Sequence, residues 1–140
     1  MSKDYLVCID GSESSMKSLD CAVGLANQTG AGLVLLEVFE PHQPLPGFYK
    51  DNKFSGDMAE FAAEQKIETL LPKIEEIKGK WSRKVRKGYP AEEIIKESEE
   101  NEYEMIIIGT HGANALERFL IGSVSTRVLH HANCSVLVVR

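Results

Sequence analysis

Apolar residues in this chain gather into short runs, separated by longer stretches whose apolar positions recur with helical period. Asp4 to Ile9 (Asp-Tyr-Leu-Val-Cys-Ile) is a mostly apolar run closed by Asp10-Gly11-Ser12, the pattern of a strand buried on both faces. Ser12 stands where it can cap a following helix, in which Met16, Leu19, Val23 and Ala26 keep helical spacing until Gly30 offers a stop. Leu33 to Phe39 predicts a second buried strand. Glu40 to Ser55 carries Pro41, Pro44, Pro46 and Gly47 with Phe48, Tyr49 and Phe54, and predicts a long loop, either a lid or binding loop or a flap over the sheet. A second helix is expected from about Asp57 to Lys78, with Met58, Phe61, Ile67, Leu70, Leu71, Ile74 and Ile77 as its buried stripe. Pro72 should kink or break it just before that position.

Trp81 to Arg86 predicts an edge strand, because Arg83, Lys84 and Arg86 share it with Trp81 and Val85. Pro90 fits the first turn of a third helix over Ala91 to about Asn101, with Glu92 and Glu93 at the positive end of its dipole and Ile94 and Ile95 facing inward. Met105 to Ile108 predicts a fully buried strand, Ser123 to His131 a fourth helix and Ser135 to Val139 a last strand. Alternating strands and helices with near-continuous apolar strands imply an α/β fold, a doubly wound parallel sheet with helices on both faces. In such sheets ligands bind beyond the carboxyl ends of the strands, where the winding reverses. The residues just after each strand are therefore the ones to inspect.

Composition narrows the class. A chain of 140 residues, 43% hydrophobic and 26% charged, has the balance of a globular protein and the length of one domain, expected over 1-140. The net charge of -5 offers no basic field for a phosphate backbone or an anionic lipid surface, so neither nucleic acid nor membrane is an expected partner. The amino-terminal residues run straight into the first strand without an apolar leader, and a cytoplasmic location is expected. Three cysteines, Cys8, Cys21 and Cys134, form no Cys-x-x-Cys pair and read as small packing residues in a reducing compartment.

The candidate chemistry lies between the fourth strand and the last helix. Gly109-Thr110-His111-Gly112 through Gly122-Ser123-Val124-Ser125 has the spacing Gly-x2-Gly-x9-Gly-Ser. Gly109 and Gly112 can adopt positive φ and bring backbone N–H groups close to a ligand. Gly122-Ser123 opens a helix with unpaired N–H groups, and Ser123 and Ser125 add hydroxyls that can donate to phosphate. Spacing alone leaves a second reading open, a connection whose glycines relieve crowding and whose Ser123 caps the helix. Asp10, ending the first strand, can bind a ribose hydroxyl or a phosphate-borne metal, or it can open a turn and help cap the first helix. His130 and His131 are adjacent, point about 100° apart on a helix and suit its negative end rather than a shared metal. His111 lies in the glycine loop, and Arg118 in the same segment could contact phosphate.

Val7-Cys8-Ile9-Asp10-Gly11-Ser12, Leu35-Leu36-Glu37-Val38, Gly88-Tyr89-Pro90-Ala91-Glu92-Glu93-Ile94, Ile107 to Gly112, Gly122 to Ser125 and Ser135 to Val139 together resemble the universal stress protein family. Only Glu40 to Lys80 lacks a distinctive match. The resemblance implies a five-stranded sheet in the order 3-2-1-4-5, with Asp10 and Gly109 facing one crevice. It also implies membership of the ATP-binding branch. There Gly109, Gly112, Gly122, Ser123, Val124 and Ser125 would hold the phosphates, Asp10 the nucleoside and Val38 the adenine through its backbone, while Ile108 would line the pocket. ATP, alone or with Mg2+, is the implied cofactor, and the implied partner is a second copy of the chain, paired through the last strand.

The function so implied is an ATP-binding, nucleotide-dependent stress-response switch or sensor. The competing functions are a homodimeric scaffold in which nucleotide is incidental, and a slow ATPase or phosphotransferase. A phosphate-accepting receiver domain would need clustered acids after the first strand, where Asp10 stands alone, and a lysine after the last, where Arg140 stands. A flavin phosphate in the first loop would be repelled by Glu13.

Overall fold

The computed structural model describes residues 4–40, 70–110 and 121–140. In chain order these form β1 (Asp4–Ile9), α1 (Glu13–Thr29), β2 (Leu33–Phe39), α2 (Leu71–Ile74), β3 (Trp81–Lys87), α3 (Pro90–Glu100), β4 (Tyr103–Gly109), α4 (Ser123–His131) and β5 (Ser135–Val139). All strand pairs are parallel, and the sheet runs β3-β2-β1-β4-β5, the order implied by the resemblance. β1 and β4 are therefore neighbours whose connections leave in opposite directions.

Strand alternation sends two sets of side chains to opposite faces. Tyr5, Val7, Ile9, Leu33, Leu35 and Ile107 meet Leu19, Ala22, Val23 and Ala26 of α1. Leu6, Val34, Leu36, Ile106 and Ile108 meet Ala91 and Ile94 of α3 and Val128 of α4. Each such Val, Leu or Ile contributes roughly 1.5–3 kcal/mol by leaving water. No helix among the described residues is long and apolar enough to cross a membrane.

The ends of α1 follow the sequence closely. Ser12 Oγ accepts the Ser15 N–H at 3.0 Å, and Gly30 closes the helix in the left-handed conformation, φ 81°, donating its N–H to Ala26. Asn27 then fastens α1 to the turn before β3, donating to the Glu76 carbonyl and accepting from the Lys78 N–H, each at 2.9 Å.

Three expectations change. The second helix does not continue to Lys78: α2 is a single turn ending at Ile74, with Pro72 in it, and residues 57–69 of that expectation lie outside the described residues, as does the loop from 41 to 55. β4 begins at Tyr103 rather than Met105, and a register shift opposite Asp4 and Tyr5 accommodates the extra residues. Cys21 is exposed on α1, whereas Cys8 and Cys134 pack against the α3 side of the core as expected.

The charged residues of β3 are not simply solvated. Alternation turns Lys84 and Arg86 toward α3, where Glu97 is 1% exposed. Glu97 accepts from Lys84 at 2.7 Å, Arg86 at 2.7 Å, Tyr103 at 2.6 Å and Asn101 at 3.0 Å. Arg86 also reaches Glu93 and Glu100, each at 3.1 Å. Burial on its own would raise the Glu97 pKa, but the hydrogen bonds from Lys84, Tyr103 and Arg86 outweigh it and hold the carboxyl below its ordinary range. Burial, followed by the bond to Glu97, pushes the Tyr103 phenol up. Glu93, expected to serve the helix dipole, occupies that first turn and is also an ion-pair partner.

Candidate functional site

The carboxyl edge of the sheet brings two turns together. In the β1 to α1 turn, half-buried Asp10 accepts the Ser12 N–H on Oδ1 at 2.8 Å, and Gly11 supplies the positive φ of 81° that the turn requires. The Asp10 N–H donates to Ser15 Oγ at 3.4 Å, and Ser15 Oγ donates to the Ser12 carbonyl at 3.0 Å. The turn-forming role of Asp10 is thus realised. A carboxylate offers about four lone-pair sites, so one such bond leaves acceptor capacity for a ligand hydroxyl. Burial first, and then the Asp10 charge, push the Cys8 thiol well above its ordinary range, which keeps it protonated and suits a packing residue.

On the neighbouring strand, the pairing of Val7 with Ile107 sets Ile9 level with Gly109. Gly109 does not have the positive φ expected of it. Its lack of a side chain matters for another reason: a Cβ there would overlap Ser14 Oγ and lie 2.9 Å from the Ser14 backbone carbon and oxygen. On the opposite face, Ser125 Oγ donates to the Gly109 carbonyl at 2.6 Å. The first turns of α1 and α4 therefore both close on one residue.

Gly122 is the N-cap of α4, extended at φ −65° and ψ 163°, with no side-chain cap. Its N–H donates to Thr110 at 2.6 Å, and its carbonyl accepts from the Thr126 N–H and hydroxyl at 3.0 and 2.9 Å. Thr110 in turn donates its N–H to Val139 at 3.2 Å, tying the loop to the end of β5. Beyond Gly122 come the amides of Ser123, Val124 and Ser125, which as the first three of a helix have no intrahelical acceptor and sit at the positive end of its dipole.

Of the expected site residues, Ser123 is exposed, Val124 is half-buried against the α3-side core, and Ser125 is 3% exposed with its hydroxyl proton directed at Gly109. Ile108 is buried opposite Val138, and half-buried Val38 pairs with Arg86 two strands away from Gly109. Gly112, His111 and Arg118 lie outside the described residues. Among the described residues there is no group of three or more His, Cys, Asp or Glu placed to hold a metal. Ser14 and Thr110 were not singled out in the sequence. Thr110 directly follows Gly109 and Ser14 lies in the first turn of α1, but only the strand order shows that both serve the same point.

The universal stress protein family model matches residues 1–140. A universal stress protein of Methanocaldococcus jannaschii is 29% identical over 142 residues, covering 99% of this chain and 82% of the relative. A Staphylococcus aureus protein named for the same family is 33% identical over 144 residues, covering 99% and 84%. Among solved structures, a universal stress protein from Lactobacillus plantarum superposes with a TM-score of 0.84 at 23% identity, over 99% of this chain and 97% of that one, and shows the same fold. Three further structures of the fold contain adenine nucleotides. One is a universal stress protein in complex with cAMP (TM-score 0.71, 20% identity, 99% and 97% covered). The others are an Archaeoglobus fulgidus protein with dAMP (0.61, 17%, 99% and 98%) and an Arabidopsis thaliana protein with AMP (0.65, 17%, 98% and 90%).

Proposed function

The chain belongs to the universal stress protein family, and within it we propose a protein that binds ATP at the β1–β4 crevice and acts as a nucleotide-dependent switch or sensor in a stress response. The observation that carries this reading is the amino end of α4: it has no side-chain cap, its first three amides are unpaired within the helix, and it is locked to the sheet at Gly109. A fixed cluster of backbone donors at a helix N-terminus is an anion site whose donors are already ordered. Asp10 on the adjoining turn adds an acceptor suited to a ribose hydroxyl. The relatives that contain AMP, dAMP and cAMP make an adenine nucleotide the fitting ligand class.

In this reading the amides of Ser123, Val124 and Ser125, the Ser123 hydroxyl and the backbone at Gly109 and Gly112 hold phosphate, while Gly122, whose N–H donates to Thr110, lets the phosphate approach those amides without a side chain in the way. Ser125 contributes through its N–H, because its hydroxyl donates to Gly109. Val38 and Ile108 form the nucleoside side. Mg2+ would supply charge neutralisation between phosphates, held chiefly by phosphate oxygens, with Asp10 as the nearest carboxylate of the crevice. The domain is taken to span 1-140 and to work in the cytoplasm.

A second copy of the chain is the proposed partner. β5 is an edge strand whose Val136, Leu137, Val138 and Val139 remain only half-buried, an apolar edge that pairing would cover. Calorimetric titration of nucleotide-stripped protein with ATP tests the nucleotide reading: saturable heat that is lost in Gly122→Val supports it, and no heat with the stripped native chain refutes it. Steady Mg2+-dependent turnover that disappears in Asp10→Ala would instead assign hydrolysis. Partner binding unchanged in Gly122→Val would favour a scaffold.

A further inference from the structure

We propose that the outer edge of β3 is a docking strand for an acidic, extended segment of a partner protein, which adds to the sheet beside it. β3 ends the sheet on the side away from β5, and among the described residues no strand pairs with its outer side. The stretch 78–87 carries Lys78, Lys80, Arg83, Lys84, Arg86 and Lys87 and no acid, in a chain of net charge -5.

Alternation divides these cations. Lys84 and Arg86 face α3 and are held by Glu93, Glu97 and Glu100. Trp81, Arg83 and Lys87 belong to the other face, in register with Leu33, Leu35 and Phe39, and are exposed, as are Lys78 and Lys80 before them. None of Lys78, Lys80, Arg83 and Lys87 forms an ion pair among the described residues.

An open strand edge is a template for another strand, and lysines on it commonly serve to prevent pairing. Charge of either sign would serve that purpose, yet the charge here has one sign, opposite to that of the molecule. Trp81, the only tryptophan of the chain, stands 40% exposed among the cations, and Trp and Arg are the residue types enriched where interfaces bind most strongly. A second copy is disfavoured as the occupant, since two β3 edges would oppose cation to cation. A nucleic acid would answer the cations but has no peptide N–H and C=O groups to extend the ladder of a strand edge. A short acidic strand answers both the backbone edge and the cations.

The probe is a fluorescein-labelled decapeptide of alternating glutamate and threonine, titrated into the full chain and followed by anisotropy, Trp81 emission and amide exchange. Binding should saturate, shift the Trp81 emission and slow exchange of β3 amides. The double variant Arg83→Glu, Lys87→Glu should weaken binding at least about tenfold, as expected when attraction becomes repulsion. A version of the peptide N-methylated at alternate residues should bind at least about tenfold more weakly, because the ladder bonds are lost. Absence of saturation overturns the proposal. So does equal binding of the N-methylated peptide, which would leave charge attraction without strand addition. Tighter binding of a ten-residue oligothymidylate would assign the surface to single-stranded nucleic acid instead.

Discussion

Ser125 donates its hydroxyl to the carbonyl of Gly109 at 2.6 Å, so the first turn of α4 is bonded directly to the end of β4. Ser14 packs against the same glycine from the other face of the sheet. The two helices that begin at the β1–β4 reversal are thus fixed to a common point, and Thr110 extends the connection to Val139 of β5. A ligand bound by the α4 amides would meet donors already in place.

Removing either half of this contact should destabilise the protein. Ser125→Ala leaves a buried carbonyl without its donor and should cost about 1–3 kcal/mol. Gly109→Ala forces a methyl into Ser14 and should cost a similar amount, about 1–3 kcal/mol, by overpacking. Urea midpoints for the two variants give the measurement, with Ser123→Ala, at an exposed position, expected within about 0.5 kcal/mol of the native chain.

Glu97→Ala should destabilise the protein measurably. It removes the carboxylate partner of Lys84 and the acceptor of buried Tyr103, while Arg86 keeps Glu93 and Glu100, so the expected loss is about 1–3 kcal/mol. Glu97→Gln keeps an acceptor and the side-chain volume and should lose less. Equilibrium unfolding of the pair in urea reads the difference.

The same cluster sets a pH dependence. Glu97 titrates below its ordinary range when folded, so its contribution is complete above the unfolded pKa of about 4.3 and is lost as pH falls through the lower folded value. Tyr103 is shifted upward, so its contribution is complete below about pH 10 and is lost as pH rises through the higher folded value. Unfolding midpoints should therefore be level in between and fall at both ends. Glu97→Gln should flatten the acid limb.

If β5 pairs across a two-fold axis, light scattering should give twice the chain mass of 15.5 kDa. Val138→Pro, which takes a donor from the edge strand, should return the mass to that of one chain. A native chain that is monomeric at micromolar concentration contradicts pairing.

Most of the architecture was legible because the strands are short apolar runs and the helix ends carry distinct caps. Ser12 and Gly30 bounded α1 from sequence alone. Glu93, Glu97, Lys84 and Arg86 were harder to read. Their i, i+4 and i, i+2 spacings mark two stripes, yet nothing local says that a helix stripe and a strand stripe face each other until β3 lies beside β2 and α3 covers them. Gly109 was singled out for conformational freedom, whereas the structure uses its small size, because the approach of Ser14 is set by how α1 packs on the sheet. Ser125 read as a phosphate donor, since its bond to a residue sixteen positions away depends on where the intervening loop returns.

The central claim is tested most directly by mass spectrometry of the small molecules released when freshly purified, never nucleotide-treated protein is denatured. An adenine nucleotide approaching one per chain in the native protein, and absent from Gly122→Val that still unfolds cooperatively, is the predicted result. Native protein that releases no nucleotide, and takes up none when ATP and Mg2+ are then supplied, would contradict it.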